Sequence, residues 1–125
     1  MKAIGVIGLG IMGASYARNL IKNGFEVYGF DVDPARMAML SDEGIHPCEN
    51  VSHLATKASE IITSLPTPQA LHEVVRELCG LGTRLTELVV ADTCTLTLED
   101  KLLAKSKLHK MYGATIDPSR VLITP

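Results

Sequence analysis

Three glycines near the start of the chain have the spacing G-x-G-x-x-G. They are Gly8, Gly10 and Gly13, separated by Leu9 and by two further apolar residues. At this spacing the first glycine allows a tight turn, and the second lets the backbone approach a pyrophosphate. The third removes a Cβ where a helix meets a strand. N–H groups at the start of that helix attract phosphate oxygens. The spacing therefore predicts a loop that binds the phosphates of a dinucleotide.

The residues on either side of the loop supply the elements that must position it. Ala3–Ile7 is a short apolar run, which predicts a buried parallel strand. After the loop, apolar residues recur at helical spacing until Gly24. The glycine motif alone is weak evidence. Placed between a strand and a helix, it is typical of a βαβ unit that binds a dinucleotide.

The rest of the chain continues to alternate strands and helices with short connections. Further strands are predicted at residues 26–30, 45–48, 60–65, 87–91 and 114–116. The predicted capping residues of the later helices are Asp33, Ser52, Thr67 and Thr97. This alternation predicts an α/β fold with a doubly wound parallel sheet, the Rossmann fold, in three α/β/α layers. We expect residues 1–125 to form one domain.

Asp31 stands at the carboxyl end of the second predicted strand, 23 positions after Gly8. An acid about 20 residues after the glycine motif accepts hydrogen bonds from a ribose. Asp33 fills the capping role nearby, so Asp31 and the adjacent Val32 are predicted cofactor contacts. A carboxylate here repels a 2′-phosphate, which favours NAD over NADP. Arg36 could hold such a phosphate, but we interpret it as an exposed helix residue.

Composition and net charge exclude some classes of protein and indicate a cellular location. The chain has 46% hydrophobic residues and a net charge of -2, which argues against binding to nucleic acid or an anionic membrane. Its three cysteines are odd in number and far apart, which predicts reduced thiols and a cytoplasmic location. His46, Cys48 and His53 lie close in sequence. We interpret them as part of a connecting segment, and no metal site is predicted.

Three separated motifs resemble the β-hydroxyacid dehydrogenases, the family of 3-hydroxyisobutyrate dehydrogenase, tartronate semialdehyde reductase and 6-phosphogluconate dehydrogenase. The motifs lie at residues 4–24, at Ser64-Leu65-Pro66 and at residues 89–96, and the resemblance covers about residues 2–98. Cys94 stands where the family usually has serine, and Leu98 where it usually has proline. The thiol keeps the size of the serine side chain but weakens its hydrogen bonding.

The resemblance implies that the cofactor lies against the glycine loop and against segments after three later strands. Thr95 would lie near the nicotinamide end. Together with the motifs, the resemblance predicts these cofactor contacts: Gly8, Leu9, Gly10, Ile11, Met12, Gly13, Asp31, Val32, Leu65, Pro66 and Thr95.

The resemblance also indicates what this chain does not supply. The family's serine- and glycine-rich substrate segment, its catalytic lysine and its helical second domain have no counterpart before Pro125. We interpret Lys101, Lys105, Lys107 and Lys110 as an exposed helix face, so no catalytic residue is predicted. The expected function is the NAD(P)-binding domain of a 3-hydroxyacid dehydrogenase-type oxidoreductase, not catalytic by itself. Its small hydroxy-carboxylate substrate would bind only in a full-length enzyme.

Two other classes of function share features with this sequence. A stand-alone dinucleotide-sensing or interaction module would bind NAD without a partner. A cofactor domain separated from its enzyme would instead expose apolar surface and self-associate as a homo-oligomer. An S-adenosylmethionine methyltransferase also uses a glycine loop and an acid after the second strand. The third glycine at Gly13, together with Leu65 and Pro66, argues against that class.

Overall fold

A computed structural model of the protein describes residues 2–94, 99–100, 102–103, 106 and 121–123. Within these ranges the strands are β1 (Ala3–Ile7), β2 (Glu26–Phe30), β3 (His46–Pro47), β4 (Glu60–Thr63), β5 (Val89–Asp92) and β6 (Val121–Ile123). The helices are α1 (Ile11–Lys22), α2 (Pro34–Asp42), α3 (Val51–Lys57) and α4 (Pro68–Cys79), and a 3-10 helix covers Gly82–Glu87.

The strands form one sheet in the order β3-β2-β1-β4-β5-β6, and every neighbouring pair is parallel. The chain therefore winds outward from β1 in one direction, returns, and winds outward in the other from β4. Ile7 lies opposite Phe30 of β2 and Thr63 of β4, so these three strands end at one level. The predicted doubly wound Rossmann sheet is confirmed.

A separate apolar core lies on each face of the sheet. Val6 packs with Ala14 and Ala17 of α1 and with Leu40 of α2. Ile7, the next residue along β1, packs in the other cluster, which contains residues of α3 and α4. Successive residues of a strand point to opposite faces. The sheet is therefore covered on both sides, which confirms the three α/β/α layers.

Two of the predicted helix caps are present, and a third is wrong. The Asp33 side chain accepts a hydrogen bond from the N–H of Ala35 at 2.9 Å, and Thr67 caps α4 in the same way. For α3 the cap is Asn50, whose Oδ1 accepts from the N–H of His53 at 2.7 Å, rather than Ser52. The completely buried Val51 is the first residue of α3, so the cap precedes it.

Strand ends differ from the predictions where long-range contacts decide them. β4 stops at Thr63 rather than at residue 65, because the Leu65 N–H donates to a side chain following β5 instead of to the sheet. β5 starts at Val89 rather than at residue 87, because Gly82–Glu87 forms a 3-10 helix.

The last predicted elements fall largely outside the described residues. Thr97 and residues 114–116 lie there, so their predicted cap and strand are not described. The strand that pairs with β5 at the edge of the sheet is Val121–Ile123. Residues 99–100, 102–103 and 106 are helical, in the region of the helix predicted after Thr97.

One arginine joins the 3-10 helix to the end of α3. Arg84 donates from Nε and Nη2 to the carbonyl oxygen of Ala55, at 2.9 and 2.6 Å, and from Nη1 to Glu87 at 2.7 Å. Ala55 lies in the last turn of α3, where carbonyl groups have no partner within the helix. The guanidinium therefore satisfies a backbone acceptor that helix geometry leaves open.

Replacing Arg84 by alanine is expected to lower the free energy of unfolding by about 2 kcal/mol, because charge-assisted hydrogen bonds to a part-buried carbonyl are lost. Urea denaturation measures the change. Arg76→Ala is the control, since Arg76 is exposed on α4, and a surface change of this kind is expected to stay within about 0.5 kcal/mol. Equal losses in both variants would contradict the role given to Arg84.

Candidate functional site

A cleft of about 760 Å³ opens at the carboxyl ends of β1, β2, β4 and β5. Strand order reverses between β1 and β4, so the loops after them diverge and leave a crevice between them. Eight of the predicted cofactor contacts lie on its wall: Gly8, Gly10, Ile11, Met12, Asp31, Val32, Leu65 and Pro66.

Of the other three predicted contacts, the two that the structure describes, Leu9 and Gly13, do not line the cleft. Leu9 is 2% exposed and packs in the core with Val27 and Leu40. Gly13 is buried at the start of α1, where a side chain would meet backbone. Thr95 lies outside the described residues. Leu9 and Gly13 therefore shape the cleft from behind its wall.

Gly8 and Gly13 are required by the fold itself. Gly8 has a φ of +92°, a conformation that favours glycine, and a Cβ on it would lie 2.1 Å from the carbonyl oxygen of Ser64. A Cβ on Gly13 would lie 1.8 Å from the carbonyl oxygen of Gly8. In both cases the obstacle is backbone, which cannot rotate away. These two glycines fix how closely α1 packs on the end of β1.

Gly10 differs from the other two glycines. Its φ of -68° and ψ of -165° are open to any residue, and a Cβ there would meet only Nη1 of Arg36, at 2.8 Å. That atom ends a flexible side chain, so the protein itself does not require glycine at this position. Gly10 is the N-cap of α1 and lies on the cleft wall. The space beside it suits a phosphate, which N–H groups at a helix start attract.

The Asp31 carboxylate is fixed at the rim of the cleft by two backbone donors. Its Oδ2 accepts from the N–H of Leu9 at 2.7 Å, and its Oδ1 accepts from the N–H of Asp33 at 2.8 Å. Each oxygen of a carboxylate has a second lone pair. The group therefore ties β2 to the glycine loop and can still accept hydrogen bonds from hydroxyls in the cleft.

Arg36 is exposed on the first turn of α2, as interpreted from the sequence, and its side chain also lines the cleft. It lines the wall next to Asp31, approaches Gly10, and forms an ion pair with Asp33 at 3.6 Å. Its side chain remains 47% exposed. Position in the first turn of α2 was the available sequence signal, but the direction of a long side chain depends on neighbours that the sequence alone does not place.

Helix α4 forms a part of the cleft wall that was not predicted from the sequence. Ala70, Glu73, Val74 and Glu77 line the cleft at helical spacing, beyond Leu65 and Pro66 on the same side. Their spacing of three and four residues could have shown that they share one face of the helix. Helix α4 thus adds two apolar side chains and two carboxylates to the cleft wall.

Buried polar groups join the ends of β4 and β5. Thr63 and Asp92 are each 1% exposed, and the Thr63 hydroxyl donates to Oδ1 of Asp92 at 2.7 Å. The Thr93 hydroxyl donates to the carbonyl oxygen of Thr63 at 2.8 Å. The N–H of Leu65 donates to Sγ of Cys94 at 3.1 Å. The loops after β4 and β5 therefore meet, as expected from a shared sheet edge.

The residues considered for a metal have other roles. Cys48 is buried in the core, and that burial raises the pKa of its thiol despite the nearby Lys57. His53 accepts a hydrogen bond at Nδ1 from the N–H of Glu49 at 3.1 Å. Over the described ranges, no group of three or more His, Cys, Asp and Glu residues could hold a metal ion.

A helix needs about 20 mostly apolar residues to cross a membrane. In the part of the chain that the structure describes, no helix is both long enough and apolar enough to cross one.

Comparison with known proteins places the chain in a family. Residues 3–117 match the NAD binding domain of 6-phosphogluconate dehydrogenase. The chain is 37% identical over 91 residues to 2-(hydroxymethyl)glutarate dehydrogenase of Eubacterium barkeri, covering 68% of this chain and 30% of that protein. It is 36% identical over 107 residues to 3-sulfolactaldehyde reductase of Escherichia coli K12, covering 83% and 36%. The chain thus spans about a third of the length of these curated relatives.

A solved structure shares the fold. Mycobacterium tuberculosis 3-hydroxyisobutyrate dehydrogenase with L-serine superposes with a TM-score of 0.79 at 21% identity, over 98% of this chain and 39% of that chain. At 21% identity this similarity concerns the fold alone. Membership of the family is shown by the sequence matches described above. The chain belongs to the family of the NAD-binding domain of 6-phosphogluconate dehydrogenase and is a nicotinamide dinucleotide-binding domain of the 3-hydroxyacid dehydrogenase type.

Proposed function

We propose that this chain binds NAD for an oxidoreductase that acts on a small hydroxy acid. Bound nicotinamide would accept or donate the hydride exchanged with the carbinol carbon of that substrate. The two curated relatives are a dehydrogenase and a reductase, which supports oxidation and reduction as the type of reaction. We assign the substrate contacts and the acid/base group to the part of the enzyme that lies beyond the length shared with this chain.

The observation that carries the proposal is the space beside Gly10. Gly8 and Gly13 are explained by backbone contacts within the protein, whereas Gly10 has no backbone neighbour among the described residues that requires it. A residue without a side chain at the N-cap of α1 leaves room for a ligand that approaches the backbone closely. A pyrophosphate is such a ligand, because helix N–H groups favour negative charge.

Other residues on the cleft wall would contact the remaining parts of the cofactor. We assign Asp31 to the ribose hydroxyls, with Val32, Leu65 and Pro66 as apolar contacts. Thr95 stays a proposed contact near the nicotinamide, on the strength of the family resemblance. Ile11 and Met12 are 89% and 56% exposed beside the glycine loop, and apolar side chains so exposed are suited to a ligand surface.

We propose NAD rather than NADP from the charges along the cleft. In the described part of the chain, the side chains on its wall that carry a charge at neutral pH are Asp31, Asp33, Arg36, Glu73 and Glu77. Four carboxylates therefore face one guanidinium, and that guanidinium is already paired with Asp33. An additional 2′-phosphate would meet a negative field, whereas ribose hydroxyls would meet hydrogen-bond acceptors.

We also propose a cytoplasmic location. None of the three cysteines, all of which lie in the described part of the chain, forms a disulfide. Cys48 and Cys94 are buried, where they pack as small apolar residues. Reduced thiols used in this way are typical of proteins in a reducing compartment. Export of the protein into an oxidising compartment of its cell, shown by fractionation, would contradict this location.

Calorimetric titration of the chain with NAD, NADP and S-adenosylmethionine tests the proposed cofactor. We expect NAD to bind, NADP to bind more weakly, and S-adenosylmethionine not to bind. Gly10→Val is expected to weaken NAD binding at least about 100-fold, because its side chain fills the space left for the pyrophosphate. Its free energy of unfolding should change by only about 1 kcal/mol, since valine replaces glycine at a helix N-cap.

Urea denaturation of Gly10→Val is the control for folding, and Gly10→Ala should give an intermediate affinity. If a folded Gly10→Val protein bound NAD like the wild type, the space beside Gly10 would not be the pyrophosphate site. A folded wild-type chain that binds neither dinucleotide would overturn the proposed function.

A further inference from the structure

Cys94 makes an unusual contact for a buried thiol. It follows β5, is 2% exposed, and its Sγ lies 3.1 Å from the N–H of Leu65, which donates to it. Leu65 and Pro66 form the segment of the cleft wall that follows β4. Proline has no N–H. The N–H of Leu65 is therefore the one backbone donor of this two-residue segment, and sulfur receives it.

The position of Cys94 is itself fixed by buried groups. Asp92 Oδ1 accepts from the Thr63 hydroxyl at 2.7 Å and from the N–H of Cys94 at 3.4 Å. The N–H of Thr93 donates to the carbonyl oxygen of Thr63 at 2.9 Å. These bonds join the ends of β4 and β5 just beyond the last residues that pair in the sheet, Thr63 and Asp92. Hydrogen bonds to the ends of β4 and β5 therefore fix the position of Cys94. The Leu65–Pro66 segment lies beyond the end of β4 and is outside the sheet.

We propose that Cys94 is a positioning residue for the cofactor cleft. Its sulfur fixes the Leu65–Pro66 segment on the wall, and the position of that segment sets the affinity for the dinucleotide. This inference rests on the proposed function for the identity of the ligand. Sulfur is a weaker acceptor than oxygen, so a serine hydroxyl can take over the role, whereas an alkyl side chain of any size cannot.

Hydrogen exchange of the Leu65 amide, measured by NMR without cofactor, tests the positioning role. Cys94→Ala and Cys94→Val are expected to speed exchange of this amide about tenfold, because the acceptor is lost. Cys94→Ser is expected to stay within about threefold of the wild type, because an acceptor remains. Valine fills the thiol's space, so a change common to alanine and valine reports the lost acceptor. The Ile62 amide in the middle of β4 is the internal reference and should not change.

Titration with NAD tests whether the segment's position governs binding. Cys94→Ala and Cys94→Val are expected to weaken NAD binding about five- to tenfold, with Cys94→Ser within about twofold of the wild type. Wild-type exchange at Leu65 in the alanine and valine variants would overturn the proposal. So would faster exchange with unchanged affinity, or a serine variant that behaves like alanine.

The two proposals fail in distinguishable ways. If the folded wild-type chain binds neither NAD nor NADP, the proposed function is overturned, and the link from Cys94 to affinity falls with it. Exchange at Leu65 then still decides whether the sulfur fixes the segment, because that measurement uses no ligand. If NAD binds and only the Cys94 variants contradict expectation, the proposed function stands and the positioning role fails.

Discussion

Replacing Gly13 by alanine is expected to lower the free energy of unfolding by about 3 kcal/mol and to abolish dinucleotide binding. Alanine in place of glycine within a helix normally stabilises by about 1 kcal/mol. Here the new Cβ would lie 1.8 Å from the carbonyl oxygen of Gly8. Helix α1 would have to move away from the end of β1, and such overpacking costs more than the helix gains. Urea denaturation and NAD titration measure the two effects.

Gly24→Ala is the matched control for Gly13→Ala. Gly24 follows the same helix, has a φ of +86°, and a Cβ there would meet nothing within 4 Å. Its cost is the strain of a left-handed conformation, about 1 kcal/mol, and NAD affinity should not change. If the two variants lose equal stability and both keep NAD binding, close packing of α1 on β1 is not the reason for glycine at position 13.

These expectations depend on a division of roles that the sequence does not reveal. The spacing of Gly8, Gly10 and Gly13 predicted the loop and its place between a strand and a helix, because both flanking patterns are local. It did not show that Gly8 and Gly13 contact backbone while Gly10 faces space. For Gly8 that distinction requires knowing that β4 runs beside β1, a contact between residues more than 50 positions apart, and for Gly13 it requires the packing of α1 on the carbonyl group of Gly8.

Other differences between prediction and structure have the same origin. Caps at Asp33 and Thr67 were predictable because each bonds a neighbour within three residues. Asn50 and Ser52 are both good capping residues, and burial of Val51 in the core decides between them. Leu9, an apolar residue inside the glycine motif, was predicted to contact the cofactor. Its side chain packs against Val27 of β2 and Leu40 of α2, which the glycine motif alone does not show.

Charge in the cleft was only partly predictable. Asp31 was identified by its distance from the glycine loop along the chain, a spacing set by the length of one helix and one strand. The approach of Arg36 to Gly10, and the carboxylates of Glu73 and Glu77 on the facing helix, depend on how α2 and α4 sit on the sheet. The proposed preference for NAD therefore rests on the assembled cleft as well as on Asp31.

Asp31→Asn is expected to lower the preference for NAD over NADP about tenfold or more. The carboxylate repels a 2′-phosphate, and two unit charges about 4 Å apart at a protein surface interact by about 4 kcal/mol. Loss of that charge helps NADP, while the ribose hydroxyls of NAD lose a charged acceptor, which forms stronger hydrogen bonds than a neutral one. Titration of both cofactors gives the ratio of their dissociation constants. Asp42→Asn removes the same charge at the far end of α2, outside the cleft wall, and should leave the ratio unchanged.

The two hydrogen bonds of Asp31 make its variants more informative than a single loss of affinity. The carboxylate holds the N–H groups of Leu9 and Asp33 as well as facing the cleft. Asp31→Ala removes both acceptors, loosens the glycine loop and should weaken both cofactors. Asparagine removes the charge but keeps one acceptor oxygen, so one of the two loop hydrogen bonds remains, while its NH2 group cannot replace the second acceptor. If Asp31→Asn weakens NAD and NADP equally, Asp31 acts only as an internal support of the loop. Selection between the cofactors must then come from Arg36 and the carboxylates of α4.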